Sequence, residues 1–145
     1  SDAAFKDQKS VTGGSVSQNN ETKTTGGMKT NESNLSSFFG ITYFDFDSAE
    51  LSAETRKVLD RVVDKLLTNP SARVVISGHA DERGTREYNL ALGHLRASAV
   101  ADYMVTNGIV GLRIKKVSFG KEKPLLKVSS GEAWSRNRRV EINVE

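Results

Sequence analysis

The 145-residue chain contains no cysteine, so disulfides and thiol chemistry are excluded, and a zinc site would have to rely on histidine and carboxylate ligands. Histidine is itself scarce, with only His79 and His94. No apolar run approaches the ~20 residues that a membrane-spanning helix requires. Nothing at the N-terminus reads as a signal peptide, and the chain begins at Ser1 without methionine. Phosphate-binding glycine motifs are missing as well. Gly78 and Gly84 match neither GxGxxG nor a P-loop, and the carboxylates around them would repel phosphate. Hydrophobic residues make up 37%, low for a chain folded throughout, so part of it is expected to build no core.

What is present is unevenly distributed. The formal charge is +3, yet Lys6, Lys9, Lys23 and Lys29 cancel Asp2, Asp7, Glu21 and Glu32 over residues 1–37. From Arg113 onward, nine Lys/Arg stand against four Glu. A solvated basic face is the commoner meaning of such an excess. Nucleic acid is a poor match, because Asp45, Asp47, Asp81 and Glu82 crowd the presumed cleft.

Residues 1–37 are rich in Ser, Thr, Gly, Asn and Gln and lack apolar periodicity, which predicts a flexible tether with a coil reach of roughly 30–35 Å. The folded domain is expected over 38–145. Ile41 to Phe46 alternates and reads as a strand. Ser48 or Ser52 can cap a helix whose stripe is Val58, Leu59, Val62, Val63, Leu66 and Leu67, stopped at Asn69-Pro70. Val74-Val75-Ile76-Ser77 is a central strand. A second helix begins between Thr85 and Asn89 and ends at Asn107-Gly108, with glycine just past its end. Ile114 to Phe119 is a third strand, Glu132 to Asn137 one helical turn, and Arg139 to Val144 a closing strand. The order β-α-β-α-β-(loop)-β predicts an α+β fold, a two-layer sandwich with two main helices on one face of a mixed sheet.

Arg96 is the residue out of place. At about 100° per residue it falls within about 40° of Leu92, inside the apolar stripe that continues through Ala99, Val100 and Tyr103. A guanidinium there needs a partner, because its desolvation is costly. Asn89, Leu92 and Gly93 share its helix face, and Asp81 ends the preceding strand. Asp81 and Arg96 suit a zwitterion, the ammonium going to the carboxylate and the carboxyl group to the guanidinium. An internal Asp81–Arg96 salt bridge accounts for the same residues equally well.

Other chemistry is less well supported. His79, Asp81 and Glu82, with His94, are the only candidate metal cluster, but no third ligand stands at a recognised spacing. His79 is better read as an imidazole bonded to a neighbouring backbone group, and His94 as solvated. Ser77 has no readable nucleophile partner. Asp45 and Asp47, two apart on a strand, point to one side and form a polar rim. No catalytic residue, metal or cofactor is implied.

The stretch Gly78-His79-Ala80-Asp81, then Tyr88-Asn89, Leu92-Gly93, Arg96-Ala97 and Val100, with Asn137-Arg138-Arg139-Val140 near the end, closely resembles the signature of the OmpA-like peptidoglycan-binding domain family. Phe44-Asp45-Phe46-Asp47, the run Gly78 to Thr85, Gly93, and Gly120-Lys121-Glu122-Lys123-Pro124 are most similar to the family's lipoprotein branch, part of the Gram-negative Tol system. The resemblance covers about residues 41–145. It implies noncovalent, non-enzymatic binding of peptidoglycan through the meso-diaminopimelate of its stem peptide, linking outer membrane to wall. It implies that Asp81 and Arg96 hold the two charged groups, that Asp45, Phe46, Asn89 and Leu92 line the site, and that Arg139 is a further member. As a partner it implies the Tol system's periplasmic propeller protein.

Two departures are plain. That branch is anchored by an N-terminal lipidated cysteine, absent here, so a soluble form lacking its anchor is expected, on the periplasmic side of the outer membrane. Leu95 stands where the branch is usually polar, and is expected to broaden the core stripe. The same domain on a porin-type protein or a flagellar stator, or a metal-dependent wall hydrolase, are the competing readings.

Overall fold

The apolar run starting at Val74 forms an interior strand in the computed structural model, which describes residues 38–145; the expected tether over 1–37 lies outside them. The elements are β1 (Phe38–Tyr43), α1 (Ala53–Leu67), β2 (Val74–His79), α2 (Arg86–Thr106), β3 (Ile114–Gly120), α3 (Gly131–Asn137) and β4 (Arg139–Val144), with a short 3₁₀ turn at Gly111–Arg113 before β3. The sheet order is β1-β4-β2-β3. β2 runs parallel to β3 and antiparallel to β4, and β1 is antiparallel to β4, so the sheet is mixed. This is the expected α+β arrangement.

Local chemistry sets the helix ends. Of the two candidate caps, Ser52 starts α1, accepting a hydrogen bond from the Thr55 amide at 3.1 Å. Thr85 does the same for α2 through the Tyr88 amide at 3.1 Å. Gly108, at φ 106°, ends the α2 path in a conformation that would strain a side chain. Leu59, Val62 and Leu66 of α1 and Ala97, Val100 and Met104 of α2 pack with Val74, Ile76, Val140 and Ile142 in one core on one sheet face. On that face α2 crosses β2 backbone to backbone. A Cβ built on Gly78 would lie 1.8 Å from the Gly93 carbonyl oxygen.

Three expectations need correction. β1 ends at Tyr43 rather than Phe46, because the chain turns where Asp47 takes a φ of 55° and the Ser48 amide bonds back to the Asp45 carbonyl. Asp45 and Asp47 therefore sit in a turn and do different things. Leu95 is 57% exposed and does not widen the core. His94 is half-buried, not solvated, with Nε2 3.5 Å from Ser98 Oγ, on the side of α2 where Lys116 of β3 also reaches Ser98.

The opposite sheet face carries a smaller cluster of Val75, Val117 and Phe119. The Asn137 side chain holds the loop near it, accepting from the Leu125 and Leu126 amides and donating to the Leu126 carbonyl. His79 is buried here, stacked on Phe119 at 5.5 Å between ring centroids. Contrary to the expected backbone bond, neither of its ring nitrogens has a hydrogen-bond partner among the described residues. Burial, and then the charges of Arg139 and Lys123, hold its pKa well below the usual histidine value. Below about pH 6.5 the unfolded chain takes up a proton that folded His79 refuses, so stability falls with pH by up to about 1.4 kcal/mol per unit. Urea midpoints at pH 7.5, 6 and 5 should show this acid-side loss in the wild type and a shallower one in His79→Leu. Equal slopes would disprove it.

Candidate ligand-binding site

The site forms where the turn after β1, the loop 80–85 and the first half of α2 converge. A pocket of about 230 Å³ opens there, lined by Phe46, Asp47, Asp81, Arg83, Gly84, Tyr88, Asn89, Leu92 and Arg96. Five of the residues expected from the sequence thus meet around one cavity: Asp81, Arg96, Phe46, Asn89 and Leu92.

Arg96 is completely buried, and its partners within the protein are backbone carbonyls rather than the Asp81 carboxylate. Its Nε donates to the Ser48 carbonyl at 2.8 Å, Nη1 to that of His79 at 2.9 Å and Nη2 to that of Asp45 at 3.0 Å. The guanidinium also lies 5.3 Å from the centroid of the Phe44 ring. These three carbonyls tie the turn after β1 to the end of β2. Carbonyls satisfy hydrogen bonds without cancelling charge, so the cation beside the pocket stays unneutralised by direct contact. Burial first, and then the charge of Arg138, lower its pKa to about 10, leaving it cationic at neutral pH.

Asp81 is only 4% exposed and engages other arginines. Its Oδ1 accepts from the Arg83 amide at 3.0 Å and from Arg83 Nε at 3.1 Å; its Oδ2 accepts from Arg83 Nη2 at 2.8 Å and from Arg138 Nη1 at 3.5 Å. Burial pushes the carboxyl pKa up, but the hydrogen bonds and charge of Arg83 outweigh it, so the pKa lies below the usual value and the group stays ionised. No Asp81–Arg96 bridge forms among the described residues.

The surroundings hold this arrangement in place. Asn89 Nδ2 donates to the carbonyls of Arg83 and Thr85, so its amide shapes the loop. Gly84 takes a φ of 100° in that loop. The Tyr88 hydroxyl donates to the Asp47 carboxylate. The Arg83 guanidinium stacks between two rings, 4.1 Å from the centroid of Phe46 and 4.0 Å from that of Trp134, whose Nε1 donates to Glu82.

Two expected members stand differently. Asp45 serves through its backbone carbonyl on Arg96, and its side chain is not part of the pocket lining. Arg139 is turned away: it bonds Glu141 at 2.6 Å and the carbonyls of Asn137 and Lys123. Because Val140 and Ile142 face the helices, strand alternation sends Arg139 to the other face. The arginine that reaches the site is Arg138, which also donates to the Phe44 carbonyl at 2.8 Å. Sequence reasoning missed Arg83, Arg138 and Trp134 as participants. For Arg138 the alternation was an available signal; for Arg83 and Trp134 there was none.

The candidate metal ligands do not converge. His79 stacks on Phe119, Asp81 bonds arginines, and Glu82 is exposed and bonds Trp134. No group of three or more His, Asp or Glu able to hold a metal occurs among the described residues.

The model of the OmpA family matches residues 43–138. A peptidoglycan-associated lipoprotein of Rhizobium meliloti is 48% identical over 98 residues, 68% of this chain and 56% of that protein. One from Pseudomonas aeruginosa is 47% identical over 100 residues, 69% of this chain and 59% of the relative. The chain thus spans somewhat over half the length of these curated relatives. The crystal structure of the peptidoglycan-associated lipoprotein from Burkholderia pseudomallei superposes with a TM-score of 0.71 at 37% identity, covering 72% of this chain and 89% of that one. With the signature residues gathered at one pocket and the family model spanning most of the domain, the chain belongs to the OmpA family.

Proposed function

We propose that this domain binds peptidoglycan noncovalently, gripping the meso-diaminopimelate of the stem peptide. The observation carrying this reading is the pairing of an ionised carboxylate, Asp81, with an unneutralised guanidinium, Arg96, on the lining of one small pocket. Diaminopimelate ends in an ammonium and a carboxylate on one carbon, the charge pattern those two residues complement. Three of the five guanidinium donors of Arg96 go to carbonyls, and the two left over would meet the ligand carboxylate. Leu92 and the Phe46 ring offer apolar surface to the methylenes between the charged end and the peptide. The names of the relatives point to the same polymer.

In this reading the domain holds the wall without cleaving it, at the periplasmic side of the outer membrane. By family resemblance it works within the Tol system and meets that system's periplasmic propeller protein. Reversible capture suits a complex that must release the wall during division.

Calorimetry with a diaminopimelate-containing stem peptide beside its lysine counterpart, which lacks the distal carboxylate, tests the reading. A preference of about tenfold or more is expected for the first, the scale of a charge-assisted hydrogen bond. Asp81→Asn should weaken binding by a similar factor, and wild-type protein should co-sediment with sacculi without releasing soluble fragments. Equal affinity for the two peptides would remove the zwitterion site.

A further inference from the structure

We infer that Arg83 is a resident competitor for the ligand: its guanidinium occupies Asp81, and a ligand ammonium binds by replacing it. The inference rests on the zwitterion reading above and adds how the ammonium gains access.

The Asp81 carboxylate is nearly inaccessible, and what covers it is mainly Arg83. The two guanidiniums on Asp81 are held differently. Arg138 is 16% exposed and anchored by its bond to the Phe44 carbonyl, so it belongs to the scaffold. The Arg83 side chain is 35% exposed, lines the pocket and, among the described residues, bonds only to Asp81. Its remaining hold is the stack between Phe46 and Trp134, a pair of cation–π contacts at a half-buried position. The ion pair is bidentate, but its guanidinium side is open to water, which can solvate Arg83 as it leaves. Arg83 is therefore the member that can leave.

The backbone need not follow. The Arg83 amide bonds Asp81 Oδ1, and its carbonyl accepts from Asn89, so the loop stays fixed while the side chain swings out. Charge requires the exchange. An ammonium added with Arg83 in place would be a third cation on one carboxylate, packed against a guanidinium, where like charges repel strongly. Replacing one cation with another leaves the local charge unchanged. A neutral or anionic group gains no such exchange, so the device selects ligands bearing an ammonium.

The test is calorimetry on the full chain with Arg83→Gln, and with Arg83→Met, which keeps an apolar stem between the rings. The ligands are the diaminopimelate peptide and the same peptide with its side-chain ammonium acetylated. Both variants should bind the first more tightly than wild type by about fivefold or more, at least the scale of a surface ion pair removed from competition. The acetylated peptide should bind weakly and equally to all three proteins. In wild type, the Trp134 indole resonance should shift on saturation as the guanidinium leaves its ring, and much less in the variants. Unchanged or weaker binding of the diaminopimelate peptide to both variants, or a still Trp134 resonance, overturns the exchange. If wild type does not distinguish the peptide from its lysine and acetylated forms, the zwitterion reading itself has failed.

Discussion

Arg96→Ala is expected to lower the stability of the domain by about 4 kcal/mol or more, a large part of the total that such a domain possesses. The substitution leaves the carbonyls of Asp45, Ser48 and His79 without their donor in a buried setting, and it opens a cavity beneath the turn after β1. Arg96→Lys should rescue only part of this, because an ammonium cannot present a planar fork to three separate carbonyls. Urea unfolding of the two variants beside the wild type measures the loss. A loss below about 1 kcal/mol for the alanine variant would mean that the carbonyls find other donors and that Arg96 is no cross-link. Lost sacculus binding in Arg96→Ala therefore cannot by itself be read as a lost ligand contact. Asp81→Asn is the more discriminating variant for that purpose, because it keeps the size of the side chain and a hydrogen-bond acceptor while removing the charge.

Gly78→Ala is expected to prevent the native fold from forming at 25 °C. The new methyl would stand 1.8 Å from the carbonyl oxygen and 2.6 Å from the carbonyl carbon of Gly93, both backbone atoms that no rotamer change can move. From the other side, a Cβ on Gly93 would lie 2.8 Å from the Gly78 oxygen and 2.3 Å from Ser118 Oγ. Relief requires α2 to lift off β2, which unpacks Ala97, Val100 and Met104 from Val74 and Ile76. Interiors packed at crystal-like density do not absorb such a shift, and the cost would exceed the usual 1–3 kcal/mol of overpacking. Far-UV circular dichroism and amide NMR dispersion report the outcome. A cooperative melt within a few degrees of the wild type would contradict the close crossing of helix and strand. The same crossing places Asp81, three residues beyond Gly78, beside Arg96, three residues beyond Gly93, so packing and site geometry share one cause.

Element order, Ser52 as one of two candidate caps, the closing strand Arg139–Val144 and the glycine after α2 were legible in the sequence, because each depends on residues within a few positions of one another. So was the anomaly of Arg96, since helical periodicity shows which face a side chain takes. The end of β1 was not legible. Alternation persists through Phe46, while the turn is imposed by Asp47 and by its link to Tyr88, 41 residues away. The choice between Arg138 and Arg139 was legible in principle, because Arg138 shares the parity of Val140 and Ile142 at the start of the strand, whereas Arg139 faces the other way.

Periodicity and motif spacing establish the fold class, the family resemblance and an arginine on an apolar helix face near a strand-end aspartate. What those two charges touch emerges only in three dimensions: Arg96 bonds three backbone carbonyls, and Asp81 bonds Arg83 and Arg138. The reason is that periodicity constrains a residue's direction along its own element, whereas its partner is whichever group the converging loops bring within about 3 Å.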